Sequence, residues 1–286
     1  MILIDTGGAN VSTGGEKAYS RLIDSVADAS GAAFASRQLT APLHHDSAVC
    51  VLQREAAILS AASRHCYVGS CEATTCVIAF LYNRHAKAAL VAHIDDESAA
   101  AAFALLVNVF MDRCRSSTPS STDTLELSLV GSFGTLAESR ACVAATLDEL
   151  QGVHVAASMR LVLAVVLNHN CRSGMPIFTS AAIDVSNGIV YPAAFASPGP
   201  GAVARQARLW TTTANELPLV FDSNSTAVMT PSLGPCVVTS AMLQRLLALD
   251  DAELVAATST SPSAEAADFA TSMRDVLCLL LQRVKH

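Results

Sequence analysis

The chain has 286 residues, 51% hydrophobic, 15% charged and 5% aromatic, a balance that supports a buried core and excludes a disordered chain. A net charge of -7 with three lysines, Lys17, Lys87 and Lys285, argues against nucleic acid as a partner, because affinity for phosphate backbones comes from clustered Lys and Arg. The mean hydropathy of +0.40 is spread over short Ala-rich stretches that fall well short of the about 20 apolar residues a bilayer-crossing helix needs, so no membrane association is expected.

Residues 2 to 4 read as a short strand. Met1 to Asp5 lacks a basic segment and meets an acid after three apolar residues, which does not describe a secretory signal and predicts a cytoplasmic protein, with a nuclear presence left open. Gly7-Gly8 and Gly14-Gly15 precede a helical stretch from about Glu16 to Ala35, and β-type runs follow at Val49 to Gln53 and Cys66 to Gly69. Thr75 to Tyr82 and Ala88 to Asp95 flank the polar group Asn83-Arg84-His85-Ala86, the pattern of a hairpin.

Glu97 to Arg115 predicts a helix that stops at the Ser116 to Ser121 run, a solvated linker by composition. In Leu125-Glu126-Leu127-Ser128-Leu129 the apolar residues alternate as a half-buried strand requires, and Leu136 to Leu150 reads as a helix. Val153 to Ala157, Arg160 to Leu167, Ile177 to Val185 and Ile189 to Ala196 read as strands of the larger sheet, the last two joined by the tight-turn signal Ser186-Asn187-Gly188. Beyond the Pro198 to Gly201 breaker come a helix at Ala202 to Trp210, short strands near Leu219 and Val228, and a helical tail from Thr239. In that tail Ser261-Pro262 are read as N-cap and first residue of the last helix. Recurrent hairpin connections make the class α/β or α+β with mostly antiparallel neighbours. Length alone leaves open one large domain or two smaller ones.

Glycine-rich phosphate loops are missing from the sequence, and no lysine stands in a G-K-[ST] context. Nine cysteines, an odd number with no C-x-x-C pair, fit free thiols in a reducing compartment better than a disulfide framework. His44, His45 and Asp46 alternate across an extended chain and do not form a metal-ligand set, and the five-residue spacing of Cys66, Cys71 and Cys76 matches no cluster motif.

Cys76 and His93 stand apart. A turn centred between Arg84 and His85 sets Cys76 opposite His93 and Thr74 opposite Asp95, all on one face of the hairpin. A thiol beside an imidazolium has its pKa lowered toward neutrality and becomes a nucleophile, which would make Cys76 the most reactive of the nine cysteines. The alternative reading is a small buried cysteine and a satisfied core histidine, which a one-residue bulge would put on opposite faces.

The segment Val68-Gly69-Ser70-Cys71-Glu72-Ala73-Thr74-Thr75-Cys76-Val77, followed by Val91-Ala92-His93-Ile94-Asp95, resembles the active-site region of the protein N-terminal asparagine amidohydrolases. Matching pieces follow in order: Gln53-Arg54-Glu55 upstream, then Leu125-Glu126-Leu127, Leu129 to Phe133, Ile189-Val190-Tyr191 with Ala194-Phe195, and Ser259 to Pro262 with Ala264-Glu265 and Phe269. The seventeen-residue spacing from Cys to His is also similar to that of the bacterial chemotaxis-receptor glutamine deamidases, which carry a Thr where this chain has Ser70. Where the amidohydrolases have Gly-Gly at the strand-end motif, this chain has Gly131-Ser132.

The resemblance implies a single amidohydrolase domain over residues 1–286, with one place for a subdivision near 116–123. The fold expected is a layered α-β-β sandwich of mixed, mostly antiparallel sheets with the catalytic Cys and His on adjacent strands. The implied activity is hydrolysis of N-terminal asparagine to aspartate on proteins or peptides, with release of ammonia, in the N-degron pathway. Cys76 would be the nucleophile, His93 the acid and base, and Ser70 the group that holds the imidazole tautomer or helps bind an oxyanion. Glu55, Glu72 and Asp95 would be the acids available to the substrate α-ammonium, with Thr74 and Thr75 at the substrate, and no metal or organic cofactor would be needed. A thiol deamidase acting on internal glutamine and a non-catalytic binding module remain the alternatives.

Overall fold

The computed structural model describes residues 31–37, 39, 41–117, 124–133, 137–153, 160–167, 179–223, 225, 227–259 and 261–285. The strand expected at 2–4, most of the helix expected at 16–35, the linker core at 118–121 and most of the strand expected at 153–157 lie outside the described residues.

Five strands come first: β1 (Ala48–Val51), β2 (Ala56–Ser60), β3 (Tyr67–Ala73), β4 (Val77–Asn83) and β5 (Ala88–Ile94). Helix α1 (Glu97–Ser117) leads to β6 (Thr124–Gly131), α2 (Ala137–Gly152) and β7 (Arg160–Leu167), followed by the hairpin β8 (Thr179–Asp184) and β9 (Ile189–Pro192). Helix α3 (Ala202–Ala207) continues as a 3₁₀ turn at Arg208–Trp210, and after β10 (Leu219–Phe221) come α4 (Ser240–Leu247), α5 (Asp251–Thr258) and α6 (Phe269–Val284). Among the described residues the strands form a four-stranded sheet ordered β1-β3-β8-β9 and a six-stranded sheet ordered β10-β2-β5-β4-β6-β7.

Both sheets are mixed, and the class and layering agree with the α-β-β expectation. Ala99, Ala100, Phe103, Val107, Phe110 and Met111 recur at three- and four-residue spacing, so α1 buries one stripe. That stripe packs on the face of the six-stranded sheet that carries Val77, Ala79, Leu81, Leu90 and Ala92, with Val143 and Leu147 of α2 beside it. The opposite face, through Ile78, Phe80, Ala89 and Val91, packs against Val49, Val51, Val68, Ala181 and Ile183 of the smaller sheet. Period two thus divides β4 and β5 between two cores. A third cluster, of Leu243, Leu246, Leu254, Val276, Leu277 and Leu280, joins the C-terminal helices. Among the described residues no helix is long and apolar enough to cross a membrane.

Several expectations are corrected. The strands from 153 onward do not form the larger sheet: β7 joins it as an edge strand parallel to β6, whereas β8 and β9 belong to the smaller sheet. A parallel neighbour needs a crossover, and α2 supplies it between β6 and β7. β8 pairs with β3 because Gly69 leaves room, since a Cβ there would meet Ala181 O at 2.1 Å. β2 was not anticipated, because its Ala56-Ala57-Ile58-Leu59-Ser60 run is buried on both faces and carries no alternation. Val228 is not in a strand. Ser261-Pro262 opens a 3₁₀ turn at Pro262–Ala264 rather than the last helix, because the Ser261 hydroxyl is engaged by Thr74 Oγ1 at 3.1 Å instead of capping.

Candidate active site

The β4–β5 hairpin is present, but its register differs from the expected one. The paired residues run from Val77↔Ile94 to Asn83↔Ala88, so Ile78 and not Cys76 faces His93. The connection is the four-residue loop Arg84 to Lys87, in which Asn83 Oδ1 accepts from Ala86 N at 2.9 Å and Lys87 takes a left-handed φ of 46°. The side-chain amide of Asn83 therefore closes the turn one residue later than expected, and every pairing slides by two. A slide of two preserves the face. Cys76 ends up one residue ahead of β4, diagonal to His93 on the Asp95 side of the hairpin, and packs against the core between the sheets. Thr74 likewise precedes the strand and does not pair with Asp95.

His93 is 4% exposed, and its ring is held by β3. Ser70 Oγ donates to Val51 O at 2.6 Å and lies 2.8 Å from His93 Nδ1. One hydroxyl has one hydrogen, and with that hydrogen on Val51 the network assigns Nδ1–H of His93 as donor to Ser70, leaving the lone pair on Nε2. Ser70 thus fits the tautomer-holding role and not the oxyanion role, since it is fully buried with both contacts used. Burial pushes the His93 pKa down to about 4, against the opposing field of Asp95.

The Cys76 thiol is pushed up to about 12 by burial and by the Asp95 carboxylate, against the hydrogen bond with Thr75 and the field of Arg54. Both shifts favour a neutral thiol and a neutral imidazole over the expected thiolate–imidazolium pair, because burial leaves neither charge well solvated. A neutral pair requires a base that removes the thiol proton during attack, which an Nε2 lone pair can do.

The backbone of the 74–76 loop is pinned from the far side. Ser132 N donates to Cys76 O at 2.7 Å, and Ser139 Oγ donates to Thr75 O. Gly131 has φ 108°, and a Cβ there would lie 2.5 Å from Cys76 O, so only glycine allows β6 to end against the loop. Ser132 adopts φ 63° in a left-handed conformation, compensated by the contact of its hydroxyl with Ser139 O at 3.1 Å. Ser139 also accepts from Phe133 N at 2.6 Å. Ser132 stood out in the sequence only as the departure from Gly-Gly at the strand end, and Ser139 was not singled out, because a lone serine at the start of a helix carries no distinctive signal.

The acids separate sharply. Glu55 is fully buried and takes a bidentate ion pair from Arg205, itself buried in α3, with Nε to Oε1 at 3.0 Å, while its Oε2 accepts from Leu52 N at 2.7 Å. Arg205 also donates to Cys50 O at 2.7 Å and Pro198 O at 3.0 Å. Glu55 is thus a structural clamp on the β1–β2 loop and has no oxygen left for a substrate, which corrects its expected binding role. Arg54, at φ 56°, donates to Asp95 Oδ2 at 2.9 Å and pairs with Asp96, and its own N–H bonds His93 O at 3.0 Å. Asp95 also accepts from Gln53 Nε2 at 2.8 Å and remains beside Cys76. Glu72 is exposed at φ 59°, and its carboxyl is raised by partial burial and by Asp268 and Glu265. The His44-His45-Asp46 run lies in a turn, with an exposed His45–Asp46 contact at 3.5 Å.

Removing one partner of a buried pair leaves the other charge unpaired. Glu55→Gln is therefore expected to destabilise the protein by about 3–5 kcal/mol in urea unfolding. A loss under about 1 kcal/mol would show that the clamp does not hold the loop.

A family model described as protein N-terminal asparagine amidohydrolase matches residues 38–285. The chain belongs to that family. A protein of Arabidopsis thaliana named protein N-terminal asparagine amidohydrolase is 26% identical over 256 residues, covering 80% of this chain and 72% of the relative. The chain is accordingly a hydrolase acting on an amide. The family match includes the β3–β5 region with Ser70, Cys76 and His93, the Glu55–Arg205 clamp and the Ser259 to Glu265 segment.

Proposed function

We propose that this chain hydrolyses the side-chain amide of an N-terminal asparagine on proteins or peptides, with Cys76 as nucleophile and His93 as the acid and base. The observation that carries the reading is the Ser70–His93 Nδ1 contact, which leaves Nε2 unprotonated on the strand paired with β4, on the sheet face against which Cys76 packs. Nε2 takes the thiol proton as Sγ attacks the carboxamide carbon, and the carbonyl electron pair moves to oxygen, where backbone N–H groups near Thr75 and Cys76 receive it. The intermediate then expels ammonia with the proton from His93, leaving a thioester. Water, deprotonated by His93, hydrolyses the thioester to the N-terminal aspartate and returns the proton to Cys76. The residues balance the reaction without a metal or cofactor.

Asp95 is the acid that suits the substrate α-ammonium. Both oxygens of Glu55 accept hydrogen bonds, whereas Asp95, although paired with Arg54 and Gln53 through Oδ2, has no hydrogen-bond donor on Oδ1 among the described residues, and its charge acts on the thiol. An arriving ammonium offsets the field of Asp95 that keeps Cys76 protonated, so the same contact binds the substrate and eases thiol ionisation. Thr74 and Thr75 border the substrate as part of the pinned loop. The reading treats 1–286 as one domain, supported by the Thr74–Ser261 and Glu55–Arg205 contacts that tie the sheets to the C-terminal part. An N-terminal aspartate can then receive arginine, which places the enzyme in the N-degron pathway of the cytoplasm.

The test is kcat/KM for ammonia release from peptides that begin with Asn, Gln or acetyl-Asn and are otherwise identical. Acetylation removes the charge and adds bulk, and Gln moves the carboxamide past the thiol by about 1 Å or more, which costs about 10² in rate. Both are expected to fall by at least that factor. Equal turnover of free and acetylated Asn would overturn N-terminal recognition and favour a deamidase of internal amides. Absence of turnover with every peptide would favour a binding module.

A further inference from the structure

Two cysteines outside the proposed reaction lie side by side at its support. Cys50 on β1 and Cys71 on β3 have their Sγ atoms 3.8 Å apart. Cys50 is buried and Cys71 is half-buried, so a reagent has access to the pair from the Cys71 side. The strands run parallel, with Cys50 beside Gly69 and Val51 beside Ser70. Each cysteine is therefore the chain neighbour of one partner in the Ser70–Val51 hydrogen bond, which orients His93. β3 is also irregular at this point, since its pairing with β8 shifts between Ser70 and Ala73 and Glu72 takes a left-handed φ of 59°. The backbone next to Cys71 is thus not locked by a continuous ladder.

We propose that Cys50 and Cys71 are a reversible thiol-oxidation site, closed to a disulfide by small-molecule disulfides of the glutathione class, and that closure displaces Ser70 from His93. Cys71 attacks one sulfur of the small disulfide and releases one thiol, forming a mixed disulfide. Cys50 then attacks Cys71 Sγ, releases the second thiol and forms the protein disulfide. Two protein thiols are oxidised, one small disulfide is reduced to two thiols, and the two protons leave with those thiols. Bonding contracts the sulfur separation from 3.8 Å to about 2.05 Å. Because the residues are diagonal and not directly opposed, the contraction must be taken up by the backbone of β1 and β3, where the Ser70–Val51 contact lies. An acceptor displaced by about 1 Å no longer holds the ring, and orientation losses of that size cost about 10² in rate.

The proposal rests on the amidohydrolase reading only for its activity measurement. The full-length protein is incubated with glutathione disulfide, mapped by non-reducing peptide mass analysis and assayed with an Asn-initiated peptide. A Cys50–Cys71 cross-link is expected, with activity at least tenfold lower and restored by dithiothreitol, whereas Cys71→Ser keeps basal activity and resists the oxidant. In parallel, the ¹⁵N resonances of the His93 ring are expected to shift on oxidation of the wild type and not of Cys71→Ser, a readout that holds whatever the substrate. Lack of the cross-link overturns the proposal. So does a mapped cross-link with unchanged activity and unchanged His93 resonances, or inactivation that follows a mixed disulfide at Cys76 while Cys50 and Cys71 stay reduced. If the reduced protein turns over no peptide, the functional reading fails, and the cross-link with the His93 resonances still decides the oxidation site.

Discussion

Cys76→Ala is expected to abolish ammonia release, with a loss on the order of 10⁶ in kcat, the scale seen when the nucleophile of a covalent hydrolase is removed. The fold is expected to survive, because the change deletes one half-buried sulfur at the edge of the core between the sheets and the loop is held through backbone atoms of Thr75 and Cys76. Cys76→Ser is expected to be nearly as inactive. The thiol is already held protonated, with its pKa pushed up to about 12, and a hydroxyl is harder still to ionise. The same burial reverses the simple expectation about labelling. Iodoacetamide needs a thiolate in reach of solvent, so the exposed Cys66 and Cys278 are expected to react before Cys76 in the free enzyme. Near-normal turnover in folded Cys76→Ala would remove the nucleophile assignment. Labelling of Cys76 ahead of Cys66 would show instead that the thiol is ionised at rest.

His93→Ala is expected to lower kcat/KM by about 10² to 10⁴, the usual contribution of a positioned acid and base. A loss under about threefold would end its assignment as the base. The pH dependence separates this role from a packing role. With its pKa near 4, the imidazole stays a free base down to about pH 5, so the acid limb of the wild-type profile is expected near pH 4 and not near the usual histidine value of about 6.5. Stability follows the same proton. Below about pH 6.5 the unfolded chain binds a proton at this histidine that the folded chain refuses, so stability falls as pH drops toward 4. The loss is about 3 kcal/mol across the window, and urea unfolding of the wild type and His93→Ala at pH 7 and pH 4.5 measures it. The variant is expected to lack most of that decline.

The hairpin of β4 and β5 was legible because two runs of apolar and β-branched residues flank a polar group, and the helical stripe of α1 was legible because its apolar residues recur every three or four positions. The strand β2 was not, since a fully buried strand shows no alternation. The turn was placed one residue early because Asn83 was counted as loop, whereas it is the last paired strand residue and its side chain closes the turn on Ala86. Cys76 and His93 stay on one face in spite of that error, because a slide of two residues keeps both on the face between the sheets. Glu55 was misread for a different reason. Its partner, Arg205, lies 150 residues away in a helix with no motif of its own.

Composition with strand and helix periodicity determined by themselves that the chain folds as an α/β or α+β protein and brought Cys76 and His93 forward together, while the layering and Ser70 came from the resemblance of one short block of residues to the amidohydrolases. Local patterns suffice for this because side-chain alternation and spacing are properties of neighbours along the chain. The tertiary structure alone decided which residues pair across the hairpin, that His93 Nδ1 faces the Ser70 hydroxyl, that Glu55 is spent on Arg205, and that burial disfavours the Cys76 thiolate. Each of these depends on burial and on partners from distant segments, because the cost of a charge or of an unpaired donor is set by what surrounds it in space and not by what adjoins it in sequence.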